Sequence, residues 1–429
     1  MSRAMKDSGV AWIGEIPEGW QCRPIKNSFT VYSGATPKSE NADYWDGEII
    51  WVTPADFKTQ DRIVSAGKRN LTAEGYSSCG TTLVPSGSIV FSKRAPIGTV
   101  AVADTELCTN QGCLSCVPHD GVDTWFFYYT MSVFTEQFNL YGTGTTFKEI
   151  SYNDFINFLL PIPPLPEQSR IAAFLDRRCA EIDRVIAATQ RTIEEYRKLK
   201  QSIITEAVTH GVRGERKMKD SGVEWLGMIP ENWSVYRIAN VYDERNESGS
   251  DDLPILLVSI NTGISDHEVS DDEQTRSFVR IEDRTKYKRV YPGDLAYNMM
   301  RAWQGAFGAA RVDGMVSPAY VVAKPKGNTS IDSRYMEALL RSPSAIDEMH
   351  RFSHGITDFR LRLYWPEFKS IRICIPPYDE QIEIADYIDQ RSAEIDRLVE
   401  AKQQLLTQLE AYKKSVIYEY VTGKREVAE

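Results

Sequence analysis

Residues 163–209 of this 429-residue chain return 213 positions later as residues 376–422. Both copies open on Pro-Pro-x-x-Glu-Gln, pass through Ala-Glu-Ile-Asp-Arg and close on Val-Thr, without an insertion between these landmarks. An offset held over so long a stretch calls for one structural unit made twice. The spacing predicts a long helix in each copy. In the second, Ile395, Leu398, Leu405, Leu409, Tyr412 and Val416 fall at alternating steps of three and four, the pattern of a coiled-coil seam, with Lys402 interrupting. In the first, Ile182, Val185, Tyr196, Leu199 and Ile203 keep the register, and Thr189 and Thr192 weaken the middle.

The helix ends are marked by chemistry. Pro166 suits a first turn, where its missing N–H costs nothing, and Glu167 and Glu380 suit the positive end of the helix dipole. Gly211 and Gly423 are natural stops. A helix over 166–209 would be about 65 Å long at roughly 1.5 Å per residue. A rod of that length with one apolar stripe needs a partner in water, and its own duplicate is the obvious one.

The repeat is not confined to the helices. Met5-Lys-Asp-Ser-Gly-Val-Ala-Trp12 and Gly14-Glu-Ile-Pro-Glu-Gly-Trp20 recur as Met218-Lys-Asp-Ser-Gly-Val-Glu-Trp225 and Gly227-Met-Ile-Pro-Glu-Asn-Trp233. Trp12, Trp20, Trp225 and Trp233 read as anchors that fix the chain's entry into a core. The chain is therefore expected as two tandem units, each with an entry motif, a globular body and a long helix. The expected boundaries are 1–160 and 213–374 for the bodies, 161–212 and 375–429 for the helical segments.

Between entry and helix the two copies diverge. Residues 49–52, 88–91 and 100–102 read as strands and 123–138 as a helix; residues 255–260, 294–297 and 319–322 with a helix over 333–352 are their counterparts. Whatever the helices do is common to both halves, and whatever the bodies do differs.

Composition narrows the function. A net charge of −10 argues against a general polyanion binder, so any nucleic-acid surface must be local or completed by a basic partner. Seven cysteines without framework spacing fit a reducing compartment. The first twenty residues carry no apolar run like that of a signal peptide, and no later stretch suits a membrane span. A cytoplasmic location is expected.

Catalytic and cofactor motifs fail one by one. Ile375-Pro-Pro-Tyr378 has the outline of an adenine methyltransferase motif, but Ile375 replaces the polar residue that would hold the amino group. A stiff joint before a helix explains it better. Gly142-Thr-Gly144 lacks the third glycine of a dinucleotide fingerprint, and residues 33–39 lack the Gly-Lys pair of a phosphate loop. Cys113-x-x-Cys116, near Cys108 and His119, has metal-ligand spacing, yet an offset of 207 places Tyr320 and Ala323 opposite it in the other body. The expectation is apolar strand cysteines, no metal and no cofactor on this chain.

Polar loops after matched strands are the stronger lead. Phe91-Ser-Lys-Arg-Ala-Pro-Ile-Gly98 and Tyr297-Asn-Met-Met-Arg-Ala-Trp-Gln-Gly305 occupy the same place, with Arg94 opposite Arg301. A second loop precedes each exit, at 142–148 and 354–360. Arginine reads guanine bidentately, Asn and Gln read adenine, and Lys or Ser holds phosphate. The candidates for DNA contact are Thr36, Lys38, Ser92, Lys93, Arg94, Thr145 and Lys148 in the first body, and Asn298, Arg301, Trp303, Gln304, His354 and Arg360 in the second.

With these features together the chain resembles the DNA specificity subunits of type I restriction-modification systems. The repeated Pro-Pro-x-x-Glu-Gln helices, the Trp12-Ile-Gly-Glu-Ile-Pro-Glu-Gly-Trp20 entry and the residues 33–38, 51–56 and 297–305 carry the likeness, which covers nearly the whole chain. It implies an α+β fold: two tandem α/β target recognition domains related by pseudo-two-fold symmetry, separated by two long helices packed as an antiparallel coiled coil. It implies a non-catalytic chain that reads a bipartite double-stranded DNA site and docks two modification subunits. Those would bind S-adenosylmethionine and methylate adenine, and restriction subunits would use ATP and Mg. The alternatives are a specificity subunit of a modification-only or type II-like methyltransferase system, and a helical scaffold that ignores DNA.

Overall fold

The structure, a computed structural model, describes residues 3–58, 61–144, 148–260, 262–268, 281, 283–355 and 361–427. Its two long helices are Leu165–His210 and Tyr378–Val421. The chain divides into two compact units, Met1–Thr189 with Gln404–Glu429, and Gln190–Gln403. Each unit thus combines one body with a portion of both helices.

In the first unit a five-stranded sheet runs in the order Phe29–Ser33, Cys113–Pro118, Ile89–Ser92, Val100–Ala103, Ile63–Val64. Only the last pair is parallel. In the second, a four-stranded antiparallel sheet runs Tyr242–Arg245, Tyr320–Pro325, Leu295–Asn298, Phe307–Ala309. The entry chain pairs with the strand that leads into the long helix in both units, Gln21–Pro24 with Leu159–Ile162 and Ser234–Arg237 with Arg372–Ile375.

The expected strands at 88–91, 100–102 and 294–297 form within a residue of those bounds, and the one at 319–322 forms as Tyr320–Pro325, three residues longer at its end. The expected helices are each broken in two. Residues 333–352 fold as Ser333–Leu340 and Pro343–Phe352, because Pro343 lacks an N–H for a helix interior and Ser342 caps a new start by accepting from Ala345 N. Residues 123–138 break at Phe134 into Thr124–Val133 and Thr135–Leu140. Over 255–260 only Val258–Ser259 pairs as a strand.

Each core is built around the residues the repeat preserves. Trp20 and Trp233 are fully buried, and each joins its body's cluster to apolar residues of both long helices, Leu175 and Val416 in one unit, Ala207 and Ile384 in the other. Burying a tryptophan removes on the order of 200 Å² from water, about 5 kcal/mol of transfer free energy. Trp12 packs edge-on against Phe134 with ring centres 4.6 Å apart. All of this fits the anchoring role expected of the entry motif.

The Pro-Pro-x-x-Glu-Gln motif is a joint built on its Gln and Glu side chains. Gln168 is buried; its Nε2 donates to Pro163 O at 2.9 Å and its Oε1 accepts from Asp123 N at 2.9 Å. Asp123 in turn caps Thr124–Val133. Gln381 repeats this, donating to Pro376 O at 3.0 Å and accepting from Asp332 N at 2.8 Å, where Asp332 caps Ser333–Leu340. Glu167 accepts from Arg3 at 2.5 Å and from Trp20 Nε1 at 2.9 Å. At the equivalent place the fully buried Glu380 meets Arg216 at 2.5 Å, with that guanidinium over the Trp233 ring. The motif locks the entry chain, the body helix and the long helix together.

Within each unit the two helix portions run antiparallel. Phe174 packs against Tyr420 with the rings tilted and Asp183 pairs with Lys413 at 2.6 Å in one; Lys200 pairs with Asp396 at 2.7 Å and Arg213 with Asp379 at 2.7 Å in the other. The two lysine pairs are one repeat position used twice, since 200 and 413, like 183 and 396, differ by 213.

The seam itself departs in part from the expected one. Ile182, Ile395 and Val416 are buried, and Tyr196, Ile203, Leu405 and Leu409 are half-buried. Val185, Leu199, Leu398 and Tyr412 are 43–48% exposed and belong to the flank. The covered positions one residue on are Ile186, Lys200, Val399 and Lys413, with Thr189 and Ile193 also buried. The physical reason is that lysine can occupy a seam by laying its stem along the partner and carrying its charge to an acid at the edge. A search for the largest apolar residues passes over such positions.

Candidate nucleic-acid interface

In the first unit the candidate residues are brought together by four loops. The strand Ile89–Ser92 delivers Lys93–Gly98, whose turn places Ala95 in the left-handed region at φ 49°. Lys93 N donates to Gly112 O at 3.0 Å, tying this loop to the one at 110–112. Ile150 N donates to Lys93 O at 3.0 Å, tying it to the exit loop, where Thr143 and Glu149 exchange backbone hydrogen bonds. The 34–38 loop joins through Ala35 N to Thr109 O at 3.0 Å, and Thr36 Oγ1 donates to Gln111 Oε1. Gly34 has to be glycine, since a Cβ there would lie 2.2 Å from the Thr109 and Asn110 carbonyl oxygens.

The side chains on this platform are not equally available. Arg94 is about one-third exposed, Lys38 and Lys148 are exposed, and Thr36 is half-buried. The Lys93 ammonium is largely covered and sits 2.7 Å from Glu149; Arg94 reaches the same carboxylate at 3.5 Å. Ser92 is a correction to the expected set. It is fully buried, and its hydroxyl lies 2.9 Å and 2.8 Å from the carbonyls of Arg94 and Pro96, so it shapes the loop from beneath and has no path to a ligand. Thr145 lies outside the described residues.

The second unit builds the same platform with other side chains. Strand Leu295–Asn298 delivers the loop to Gly305, which closes a short 3-10 turn, Ala302–Gln304, at φ 89°. Asn298 Oδ1 accepts from Met300 N at 2.9 Å, and Arg301 N donates to Asn298 O at 3.0 Å. Leu363 N donates to Met299 O at 2.9 Å, the counterpart of the Ile150 to Lys93 bond, while His354 and Arg362 exchange backbone hydrogen bonds as Thr143 and Glu149 do. The paired-loop arrangement read from the sequence is therefore present in each unit.

Gln304 and His354 are exposed, and Arg301 is half-buried with no carboxylate partner among the described residues. The Trp303 N–H is satisfied internally by Met300 O at 3.0 Å, and its ring packs edge-on to His350, so only its apolar face is available. Burial pushes the Tyr320 phenol above its ordinary value, opposed by the Arg301 charge and by a hydrogen bond with Asn298. That places the Tyr320 hydroxyl at the base of this loop. Arg360 lies outside the described residues.

Glu149, Gln111, Tyr320 and Arg362 belong to the platforms and are absent from the expected set. Applying the 213 offset just past the exit loops would have paired Glu149 with Arg362. Gln111 carries no motif and is brought in only by the sheet.

The cysteines lie in separate parts of the body. Cys113 and Cys116 stand three apart on one strand, so they point to opposite faces of the sheet, into different apolar clusters, and Cys108 lies in a third. Burial pushes the thiols of Cys113 and Cys116 far up and that of Cys108 to about 12. Among the described residues no group of three or more His, Cys, Asp or Glu could hold a metal, and no helix is long and apolar enough to cross a membrane.

Residues 17–195 match the family described as the type I restriction modification DNA specificity domain. The chain is 31% identical over 241 residues to the type I restriction enzyme MjaIX specificity subunit of Methanocaldococcus jannaschii, which takes in 56% of this chain and 54% of that protein. It therefore spans about half the length of that relative. To the putative type I restriction enzyme MjaX specificity subunit of the same organism it is 23% identical, over 96% of this chain and 95% of that one. A solved structure described as the structural basis of complex assembly and conformational transition of the type I R-M system shares the fold. Its TM-score is 0.69 at 16% identity, over 96% of this chain and 99% of that one.

Proposed function

We propose that the chain is a DNA specificity subunit of a type I restriction-modification system, as the match of residues 17–195 to that family's domain and the likeness to such subunits along the chain support, and that its two bodies read the two halves of a split, non-palindromic DNA site. The observation that carries this is the paired-loop platform found in each unit, with Arg94, Lys148 and Gln111 on one and Arg301, Gln304 and Arg362 on the other. The frame is common and the side chains differ, so the two half-sites differ too. Arg301 and Gln304 suit guanine and adenine edges in the major groove; Lys38 and Lys148 suit phosphates.

The long helices act as a ruler that sets the length of the unread spacer between the two half-sites. Support comes from helices that each begin in one unit and end in the other, with antiparallel contacts repeated in both. The chain itself is non-catalytic. Its helices dock two modification subunits, which bind S-adenosylmethionine and methylate adenine N6 and which supply the positive charge that a chain of net charge −10 lacks. Restriction subunits using ATP and Mg complete the assembly, which works in the cytoplasm.

The test is a mobility shift. This chain with its modification subunit should retain a genomic duplex against excess random duplex, at a salt concentration where the modification subunit alone does not. Retention that random duplex abolishes would leave the chain a scaffold for proteins.

A further inference from the structure

The two platforms carry opposite charges at one equivalent backbone position. Glu149 and Arg362 are 213 residues apart, and each is hydrogen-bonded across its exit loop, to Thr143 and His354 respectively. The residue that follows each donates its N–H to the neighbouring loop, Ile150 to Lys93 O and Leu363 to Met299 O. In the first unit the carboxylate at this position lies 2.7 Å from Lys93 Nζ and 3.5 Å from Arg94 Nη1. In the second the exposed Arg362 stands there instead, on the same platform as Arg301, and neither has a carboxylate partner among the described residues.

We propose that Glu149 is a specificity-determining residue of the first reading surface. By pairing with Lys93 and Arg94 it withholds both cations from DNA phosphates and leaves that surface to discriminate by its base contacts. Arg362 gives the second surface a phosphate-binding charge at the same position. The reasoning is electrostatic. Non-specific affinity for duplex DNA comes almost wholly from cations that neutralise phosphates and release counterions, with a slope of about −0.9 in log affinity against log salt per phosphate. A cation already held by a carboxylate must give up that partner to contribute, so it adds little to this sequence-blind share. The two half-sites are then read in different ways, the first with its phosphate contacts left to Lys38 and Lys148, the second with Arg362 adding a charge at the position where Glu149 removes two.

This rests on the DNA-reading function proposed above, and the experiment separates the two. The probes are a duplex carrying the site mapped by methylation and a random duplex of equal length. Each is titrated with the complex of the full chain and its modification subunits over a fourfold range of salt. Glu149→Gln is expected to steepen the salt slope for random duplex by about 0.9 to 1.8, and on fourfold dilution of salt to tighten that binding about three- to twelvefold more than in the wild type. Preference for the mapped site falls correspondingly, and Glu149→Asp restores it. Arg362→Glu, at an exposed position where folding is undisturbed, is expected to flatten the slope for random duplex by about 1. The inference is overturned if Glu149→Gln leaves that slope unchanged, whether thermal stability drops or the preferred bases of the first half-site change. An unchanged slope in Arg362→Glu overturns it as well. Failure of the wild-type complex to prefer the mapped site would sink the DNA-reading function instead.

Discussion

Replacing Gln381 by methionine tests the joint that holds each long helix to its body. Methionine keeps the length and apolar volume of the side chain but can neither donate nor accept in the same way. Gln381 is 1% exposed, so water cannot reach its side chain. Three backbone groups lose a partner: Asp332 N–H, now bonded at 2.8 Å, Pro376 C=O, now at 3.0 Å, and Ser330 C=O, now at 3.2 Å, the last on an exposed residue where water can replace the bond. A buried group left without a partner costs roughly 1–3 kcal/mol, so Gln381→Met should destabilise the second unit by about 2–5 kcal/mol. With a urea dependence of roughly 1–3 kcal/mol per molar, the midpoint should fall by about 1–2 M. Asp332 also accepts from the backbone N–H groups of Arg334 and Tyr335 at 2.8 and 3.2 Å, so loosening it frays the start of Ser333–Leu340. Urea titration combined with hydrogen exchange should find both the loss and its location, faster exchange at 333–336. Gln168→Met should do the same at 124–127 in the first unit. A change under about 0.5 kcal/mol, or faster exchange elsewhere only, would refute the reasoning.

Other outcomes follow from the same structure. Arg301→Ala should weaken discrimination at one half-site by about 1–3 kcal/mol and spare the other, measured with duplexes altered in one half at a time; equal loss at both would mean a phosphate contact or misfolding. Matched insertions of four residues after Thr189 and Lys402 add about 6 Å to each helix and should lengthen the preferred spacer by one or two base pairs, with unchanged spacing contradicting the ruler. Hydrogen bonds from the Arg213 guanidinium hold the Asp379 and Glu383 carboxyls below their ordinary values. Their contribution to stability is therefore full above the ordinary carboxylate range and lost as the pH falls through the depressed folded values, and Arg213→Gln should flatten that acid limb of melting temperature against pH. Iodoacetamide should label Cys79 in the native protein while the buried Cys113 and Cys116 stay protected until unfolding.

What the sequence made legible is what the repeat duplicates. The two helices, the entry anchors Trp20 and Trp233, and the paired loops around Arg94 and Arg301 could all be read because each occurs twice, the helices and anchors at an offset of 213 and the loops at 207. The seam was only partly legible, since the stripe passes through Lys200 and Lys413, and hydrophobicity alone prefers the neighbouring Leu199 and Tyr412. Single side chains were the hardest. Ser92 has the chemistry of a phosphate ligand, yet a serine at the end of a buried strand turns inward to bond Arg94 O and Pro96 O. Glu149 was passed over because a search for DNA contacts looks for cations, and its partnership with Lys93 depends on a pairing across a loop that linear spacing does not reveal.

Mapping N6-methyladenine on DNA treated with this chain, its modification subunits and S-adenosylmethionine addresses the central claim most directly. Two different short sequences, on either side of a spacer of constant length and indifferent composition, are the predicted result. A site identical on both strands, or one unbroken run of specified bases, would contradict it.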